Sequence, residues 1–186
     1  MTLVAGLGNP TQRYKNNRHN IGFMVVDSLI DDLKPSKINK NQFFAELYKS
    51  SQILLLKPLT YMNNSGQSIS AVMNYYKCDK LIVVHDDLEI PFGSVRIKHG
   101  GGNGGHNGLK SIDSLYGRDY DRIRIGIGRP ENKQSVSDYV LNDFDDSQKK
   151  CLPIIVKHAN EAVIYLVEHS VEEAASKFTS RKSLCN

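Results

Sequence analysis

The chain has 186 residues, of which 40% are apolar and none is tryptophan, and this predicts one soluble globular domain with its own core. No apolar run approaches the roughly 20 residues that a membrane-spanning helix needs, so a helical membrane protein is not expected. The 24 basic residues against 20 acidic ones give a net charge of +4, which is compatible with a polyanionic partner without requiring one.

The first half of the chain predicts a strand, a helix, a hairpin and a second helix. Residues 2–5 are typical of a short buried strand that ends in a glycine turn. Apolar residues at helical spacing predict a helix over residues 20–33, with Asn20 as its N-cap. Alternating apolar residues predict a hairpin over residues 43–56, and helical spacing returns over residues 65–77.

The second half continues with strands and helices. Residues 80–87 predict a buried strand that runs into polar residues at its carboxyl end. Alternation at period two predicts strands over residues 94–98 and 121–128. Helices are predicted over residues 108–115, 147–169 and 171–178, and the tail from about residue 179 is expected to be frayed. Together these elements predict a single α/β domain, residues 1–186, with a mixed β-sheet and helices on both faces.

The turn after the first strand carries Gly6-Leu7-Gly8, which begins like a dinucleotide-binding fingerprint. Thr11 stands where G-x-G-x-x-G requires its third glycine, and the predicted helix begins about ten residues too late to hold a pyrophosphate. The sequence therefore disfavours a dinucleotide site. Two glycines that only turn the chain would not explain why the same loop carries four polar residues, Asn9, Tyr14, His19 and Asn20.

Four segments place polar side chains after predicted strands, where α/β proteins keep their binding sites. They are the opening loop, KPLTYMNNSG (57–66), VVHDDLEIP (83–91) and KHGGGNGGHNGLK (98–110). Each has a structural explanation when taken alone: a single histidine is more often structural than catalytic, and consecutive aspartates commonly form turns or caps. A dense run of glycines more often indicates close approach of a backbone or a ligand.

The residue types narrow the chemistry that these segments could perform. No serine lies in a G-x-S-x-G elbow and no cysteine has a histidine in its own segment, so the usual covalent nucleophiles are missing. A nucleoside triphosphatase is disfavoured because there is no G-x-x-x-x-G-K-[ST] loop. What remains is a His–Asp pair acting on water among amide side chains. A metal hydrolase competes with it, because His19, His85, Asp86 and His106 could form a site, although in no recognised ligand spacing.

The cysteines and the N-terminus bear on the compartment. Cys78, Cys151 and Cys185 are widely scattered and form no Cys-x-x-Cys pair, so neither a disulfide framework nor a zinc site is expected. The first ten residues have no basic region and no extended apolar stretch, so a secretory signal is not expected either. A cytoplasmic location is the resulting expectation.

Five sequence blocks together resemble the bacterial peptidyl-tRNA hydrolase family in order and spacing. They are GLGNPTQRYKNNRHNIGF, KPLTYMNNSG, VVHDDLEIPFG, GGGNGGHNGLKS and RIRIGIGRP. The resemblance runs from residue 3 to about residue 178, and the combination of blocks is specific although each alone is only suggestive. Glu89 and Asn103 depart from the residues expected there, at positions that do not carry the chemistry.

The resemblance implies an enzyme that hydrolyses the ester between a peptide and the 3′-terminal ribose of tRNA, and so recycles the tRNA. His19 matches the catalytic histidine, the general base for water, and Asp86 matches the aspartate that pairs with it. Asn9 matches the asparagine that helps to distinguish N-blocked from free aminoacyl-tRNA. The other matched positions line the site for the peptide and the 3′ end (Tyr14, Tyr61, Asn63, Asn107) or contact tRNA phosphates (Lys98, Arg124).

The chemistry of these residues agrees with that implication. A carboxylate on one imidazole nitrogen fixes the tautomer and supports the imidazolium that forms as water loses its proton. Asparagine amides suit a peptide backbone because each offers donors and an acceptor. Arg122 and Arg124 share one face of their predicted strand, and with Lys98 they could grip phosphate without sequence specificity.

A non-catalytic RNA-binding module of the same fold is the alternative to an enzyme. The presence of both His19 and Asp86 among asparagines favours the enzyme. We expect peptidyl-tRNA as the partner, no metal or other cofactor, no membrane association and a monomer.

Overall fold

The computed structural model describes residues 1–132 and 134–186. Its centre is a seven-stranded mixed sheet with the strand order β2-β3-β4-β1-β5-β7-β6. The strands are β1 (Thr2–Gly6), β2 (Ser36–Lys37), β3 (Ala45–Ser50), β4 (Ile53–Pro58), β5 (Lys80–Asp87), β6 (Val95–His99) and β7 (Asp121–Gly126). Strands β4, β1, β5 and β7 are parallel to one another, while β2, β3 and β6 add antiparallel pairs at the two sides.

Helices cover both faces of this sheet. They are α1 (Ile21–Leu33), α2 (Ser65–Tyr76), α3 (Asn107–Leu115), α4 (Val136–Val140), α5 (Asp146–Glu168) and α6 (Val171–Phe178). The predicted single α/β domain with a mixed sheet and helices on both faces is confirmed. No helix in the part of the chain that the structure describes is both long and apolar enough to cross a membrane.

The central strands β1 and β5 are apolar along their middle because both of their faces are buried. Along β5, Leu81 and Val83 belong to the core cluster under α2 and α3, while Ile82 and Val84 belong to the cluster under α1, α5 and α6. Successive side chains of a strand point to opposite faces, so a strand covered on both sides needs an unbroken apolar run. This pattern explains why the polar residues of β5 lie at its two ends, with Lys80 at the start and His85, Asp86 and Asp87 at the carboxyl end.

The glycines of the opening loop are explained by helix packing. A Cβ on Gly6 would lie 2.1 Å from the carbonyl oxygen of Gly22 in α1, and a Cβ on Gly8 would lie 2.7 Å from the ring of Phe23. Neither separation is possible between non-bonded atoms, so both positions let α1 approach the end of β1. The Gly6-Leu7-Gly8 motif therefore serves this packing, which also keeps the residues before α1 close to the sheet.

Two short elements were missed by the sequence prediction. Strand β2 has only two residues, and α4 has only five, which is too short for a hydrophobic period to be visible. The local pattern that could have indicated α4 is its cap, since the Ser135 hydroxyl accepts a hydrogen bond from the Asp138 amide at 3.2 Å.

The expectation of no disulfide was wrong, because Cys151 in α5 and Cys185 are bonded to each other. The tail, which was expected to be frayed, lies along the edge of the sheet instead. Its Ser180 amide donates to the Val95 carbonyl at 3.0 Å, and its Leu184 amide donates to the Gly93 carbonyl at 2.8 Å. The pairing spans 34 residues of sequence, so it depends on how α6 returns the chain to α5 and could not be deduced from cysteine spacing.

We predict that Cys185→Ser lowers the free energy of unfolding of the oxidised protein, by about 4 kcal/mol in the chain-entropy account of a loop this long. Thermal unfolding with and without reductant measures the effect. Cys78→Ser is the matched control, since Cys78 is the free cysteine of the structure. Identical melting temperatures for Cys185→Ser and the oxidised wild type would show that the tail is not tied in solution.

Candidate active site

The side chains predicted for the active site lie where β1, β4 and β5 end and α3 begins. His19 is in a single 3₁₀ turn, Arg18–Asn20, that leads directly into α1. Asp86 is near the carboxyl end of β5, and both side chains are almost fully buried. Chain segments far apart in sequence thus meet at one edge of the sheet, as the parallel order of β4, β1 and β5 predicts.

Two asparagines hold the opening loop in shape. The side-chain oxygen of Asn20 accepts from the Asn9 amide and its side-chain nitrogen donates to the Asn9 carbonyl, both at 2.9 Å. Asn20 was predicted to cap α1, but it makes no capping bond because its side chain is used in this clamp. The Asn9 side-chain oxygen accepts from the Met62 amide at 2.7 Å. This bond orients the Asn9 amide and joins the opening loop to the segment after β4.

His19 and Asp86 form a direct pair. The His19 Nδ1 atom lies 3.0 and 2.9 Å from the two carboxylate oxygens of Asp86. A carboxylate accepts hydrogen bonds, so Nδ1 carries the proton and Nε2 of the neutral ring keeps a lone pair. Because His19 lines both clefts described below, this lone pair is available to a water or ligand there.

His106 is a second imidazole on the same carboxylate, and its tautomer is fixed by α3. Its Nδ1 accepts from the amides of Gly108 and Leu109, at 3.1 and 3.3 Å, and so caps the first turn of the helix. The proton must then be on Nε2, which lies 2.9 Å from Asp86 Oδ1 and donates to it. With both nitrogens occupied, His106 has no free lone pair to act as a base.

Asp86 therefore receives hydrogen bonds from two rings while it is 2% exposed. Burial alone would raise the pKa of its carboxyl, but the positive character and hydrogen bonds of His19 and His106 outweigh burial and hold the pKa well below its usual value. The carboxylate consequently stays ionised at neutral pH, as a partner for a histidine base must.

The same three residues could be considered a metal site, because donor atoms of His19, Asp86 and His106 lie within 4.8 Å of one another. A histidine that binds a metal through Nε2 normally carries its proton on Nδ1. In His106 that nitrogen accepts from two backbone amides, so coordination would require the loss of the α3 cap. The hydrogen bonding thus suits proton transfer better than metal binding.

Two clefts meet at His19. The first, which we call the amide cleft, has a volume of about 290 Å³. It brings together five of the predicted site residues besides His19: Asn9, Tyr14, Tyr61, Asn63 and Asn107. The rings of Tyr14 and Tyr61 face each other edge-on, with centroids 6.4 Å apart. No lysine, arginine, aspartate or glutamate lines this cleft within the described residues, so it offers amides and aromatic surface but no fixed charge.

The second, which we call the cationic cleft, has a volume of about 400 Å³ and contains both predicted phosphate contacts, Lys98 and Arg124, as well as Arg129. Arg124 Nε donates to Asp87 Oδ2 at 2.9 Å, which leaves the end of the guanidinium for a ligand. Arg129 pairs with Glu89. Lys98 makes no ion pair with any residue that the structure describes, so it is the cation that is most available to an incoming phosphate.

Arg122 lies at the same cleft as Arg124, as their shared strand face predicts, but its guanidinium is not free for a phosphate. It was expected to grip phosphate beside Arg124, but its side chain is buried under the loop of residues 100–105, which we call the glycine loop. Its NH1 group donates to the carbonyls of Gly100 and Gly102 at 3.0 and 2.9 Å, and its Nε donates to His85 at 3.1 Å. Arg122 therefore supports the wall of the cationic cleft from below.

The two clefts share four lining residues: His19, Asn107, Ser137 and Val140. Ser137 and Val140 belong to α4 and were not predicted, because that helix was missed. Arg18 holds α4 near His19, since its NH1 group donates to the Tyr139 carbonyl at 3.2 Å and its guanidinium lies 4.2 Å from the Tyr139 ring. No sequence pattern indicated this contact, which depends on tertiary packing across 121 residues.

The chain is similar to known proteins over nearly its whole length. A sequence model of the family described as "Peptidyl-tRNA hydrolase" matches residues 3–184. The chain is 51% identical over 180 residues to the peptidyl-tRNA hydrolase of Campylobacter fetus, covering 96% of this chain and 98% of that protein. It is 48% identical over 181 residues to the peptidyl-tRNA hydrolase of Sulfurovum sp., covering 96% of each.

A crystal structure of peptidyl-tRNA hydrolase from Acinetobacter baumannii superposes with a TM-score of 0.90 at 35% identity, covering 98% of this chain and 96% of that one. The similarity thus extends over the sheet, its helices and all the segments that form the two clefts. The chain belongs to the peptidyl-tRNA hydrolase family.

Proposed function

We propose that this enzyme hydrolyses the ester between a peptide, or an N-blocked amino acid, and the 3′-terminal ribose of tRNA, with a water activated by His19. The observation that carries the proposal is the position of His19 on the shared wall of the two clefts. One cleft has amide and aromatic groups for a peptide, and the other has cations for a polynucleotide. A peptidyl-tRNA ester joins those two kinds of chain at one bond.

His19 can act as the general base in this reaction. Water held near Nε2 gives its proton to that nitrogen as its oxygen attacks the ester carbonyl carbon. The imidazolium that forms keeps its Nδ1–H bond to Asp86, which is ionised and stabilises the positive charge. Collapse of the tetrahedral intermediate expels the ribose 3′ oxygen, which takes the proton from Nε2. The peptide leaves as a carboxylic acid and the tRNA with a free hydroxyl.

The amide cleft suits the peptide side of the bond. Asparagine side chains can both donate to and accept from a peptide backbone, and Asn9 is oriented for this by its bond from the Met62 amide. That bond uses the Asn9 side-chain oxygen, so its NH₂ group is the part left for the substrate. This donor can recognise the carbonyl of a blocked amino group, and a free ammonium group could not accept from it.

The cationic cleft suits the tRNA side. Lys98 and Arg124 present charge without the base-reading geometry of a groove-binding element, so they would contribute affinity to any tRNA. Asp87 fixes Arg124 through its Nε atom, so less side-chain freedom is lost when a phosphate binds.

We further propose that the enzyme works as a monomer in the cytoplasm, where thiol pools would keep Cys151 and Cys185 largely reduced.

A non-catalytic RNA-binding protein is the competing function, since it would also use a cationic cleft. It would not need an ionised buried carboxylate beside a histidine with a free Nε2, and burying a charge is costly. The Asp86 site therefore favours the enzyme.

His19→Ala should reduce kcat by roughly 10²–10⁴-fold, because a positioned general base typically contributes that much, while tRNA affinity stays near that of the wild type. Release of the N-acetyl amino acid from N-acetyl-aminoacyl-tRNA measures turnover, and filter binding measures affinity. His158→Ala is the matched control, because His158 lies on α5, donates to the Phe178 carbonyl at the end of α6 and lines neither cleft. Wild-type turnover in His19→Ala would remove the proposed mechanism, and inhibition by a zinc chelator would favour the metal alternative.

Asp86→Asn should lower kcat by about tenfold to a hundredfold, or roughly 1–3 kcal/mol in the barrier. The amide keeps the shape of the carboxylate but removes the charge that favours the imidazolium, so the acid limb of the pH–rate profile should move to lower pH. The measurement is a pH–rate profile with melting curves of both proteins. A large loss of melting temperature with an unshifted acid limb would mean that Asp86 supports only the fold.

Lys98→Ala should raise KM for tRNA substrates and flatten the salt dependence of binding, because one phosphate contact is lost. A small ester that lacks the tRNA should be cleaved at the wild-type rate. Lys49→Ala is the control, since Lys49 is exposed on β3, at the opposite side of the sheet. Equal losses on tRNA and small-ester substrates would place Lys98 in the catalytic reaction and contradict a phosphate contact.

A further inference from the structure

Among the residues that the structure describes, Arg122 is a buried cation without a carboxylate partner. Its side chain is on β7, the residue is 4% exposed, and none of the ion pairs among the described residues includes it. Buried arginines are usually paired with an acid, because an unpaired charge is expensive to remove from water. The hydrogen bonds of Arg122 go instead to two carbonyls of the glycine loop and to His85.

His85 links this guanidinium to the backbone of Asp86. Its Nε2 accepts from Arg122, so its proton is on Nδ1, which lies 2.8 Å from the Asp86 carbonyl and donates to it. Burial, followed by the positive character of His106 and Arg122, lowers the pKa of His85 to about 3. The ring is thus neutral, with one nitrogen as a donor and the other as an acceptor.

The glycine loop connects the same guanidinium to His106. The loop runs from Gly100 to Gly105 and ends at His106, and Gly100, Gly101, Gly104 and Gly105 have positive φ angles. Such a segment has many accessible conformations, and its tip has little packing, since a Cβ on Gly102, Gly104 or Gly105 would meet nothing within 4 Å. The two bonds from Arg122, together with the bond from the Gly100 amide to the Tyr120 carbonyl at 2.8 Å, restrain its first half.

We propose that Arg122 and His85 are positioning residues for the His19–Asp86 pair. They hold the glycine loop so that His106 directs its Nε2–H at Asp86, and they keep an uncharged imidazole behind that carboxylate. By sharing the charge of Asp86, the His106 donor limits how strongly the carboxylate favours the protonated form of His19. This inference rests on the proposed function, because it assigns the two residues a task in setting the basicity of His19.

Arg122→Lys tests the proposal while it keeps the positive charge. Lysine cannot donate to both loop carbonyls and to His85 in one fixed geometry, so His106 should lose its alignment. We expect kcat on N-acetyl-aminoacyl-tRNA to fall about tenfold to a hundredfold, because a small misplacement of a catalytic group can cost that much, with KM changed less than about threefold. The acid limb should move to higher pH, opposite to Asp86→Asn, because Asp86 then favours the imidazolium more strongly.

The position of the acid limb in the pH–rate profile depends on several titratable or charged groups that face His85 and His19. They are Asp86 and Asp87 on β5, Arg122 and Arg124 on β7, and His106 at the end of the glycine loop. Arg124→Lys separates the two arginines, since it should raise KM without moving the acid limb. Arg181→Lys, at an exposed arginine of the tail, controls for the substitution itself.

A second pair of variants tests His85 without touching Arg122. Glutamine can accept from Arg122 and donate to the Asp86 carbonyl, whereas leucine can do neither, so His85→Gln should retain more activity than His85→Leu. Wild-type kcat and an unshifted acid limb in both Arg122→Lys and His85→Leu would overturn the proposal. A lowered melting temperature with an unshifted acid limb would also overturn it. If either result were found while His19→Ala was inactive, only the positioning proposal would fail and the proposed function would stand.

Discussion

The buried carboxylate of Asp86 is the constraint on which the active edge of the molecule depends. A carboxylate that is 2% exposed stays ionised only if donors replace the water that it has lost. Two imidazoles supply them, and each must present an N–H and not a lone pair. His19 meets this requirement by facing Asp86 with Nδ1, and His106 meets it because α3 occupies its other nitrogen. The free lone pair of the cluster is then the one on His19 Nε2, toward the clefts.

The fold supplies these groups from separate segments. The close approach of α1 at Gly6 fixes the turn that carries His19, β5 carries Asp86 at its end, and the N-terminus of α3 carries His106. The sequence around each of these three residues does not by itself determine where its side chain lies in the fold. The parallel strand order matters because it brings all three segments to one edge of the sheet. There the amide cleft lies on one side of His19 and the cationic cleft on the other.

Much of the fold and of the site could be predicted from the sequence because the signals are local. The unbroken apolar run of β5 indicates a strand covered on both faces, and polar residues that follow it indicate the functional edge. The roles of Arg122 and Cys185 were not predictable in that way, since strand alternation places Arg122 beside Arg124 but does not show that the glycine loop folds over it. The Cys151–Cys185 bond and the contact of Arg18 with α4 depend on tertiary packing, which residue spacing does not encode.

The central claim is that Asp86 holds the His19 proton on Nδ1 and leaves Nε2 free. Nitrogen-15 NMR of the imidazoles measures this directly, because protonated and unprotonated ring nitrogens have distinct chemical shifts. With His19→Ala used to assign the signal, His19 should show a protonated Nδ1 and an unprotonated Nε2 in the neutral ring, and His106 should show the opposite. A His19 signal from the Nε2–H tautomer would contradict the account, since that ring could not accept a proton from water in the clefts.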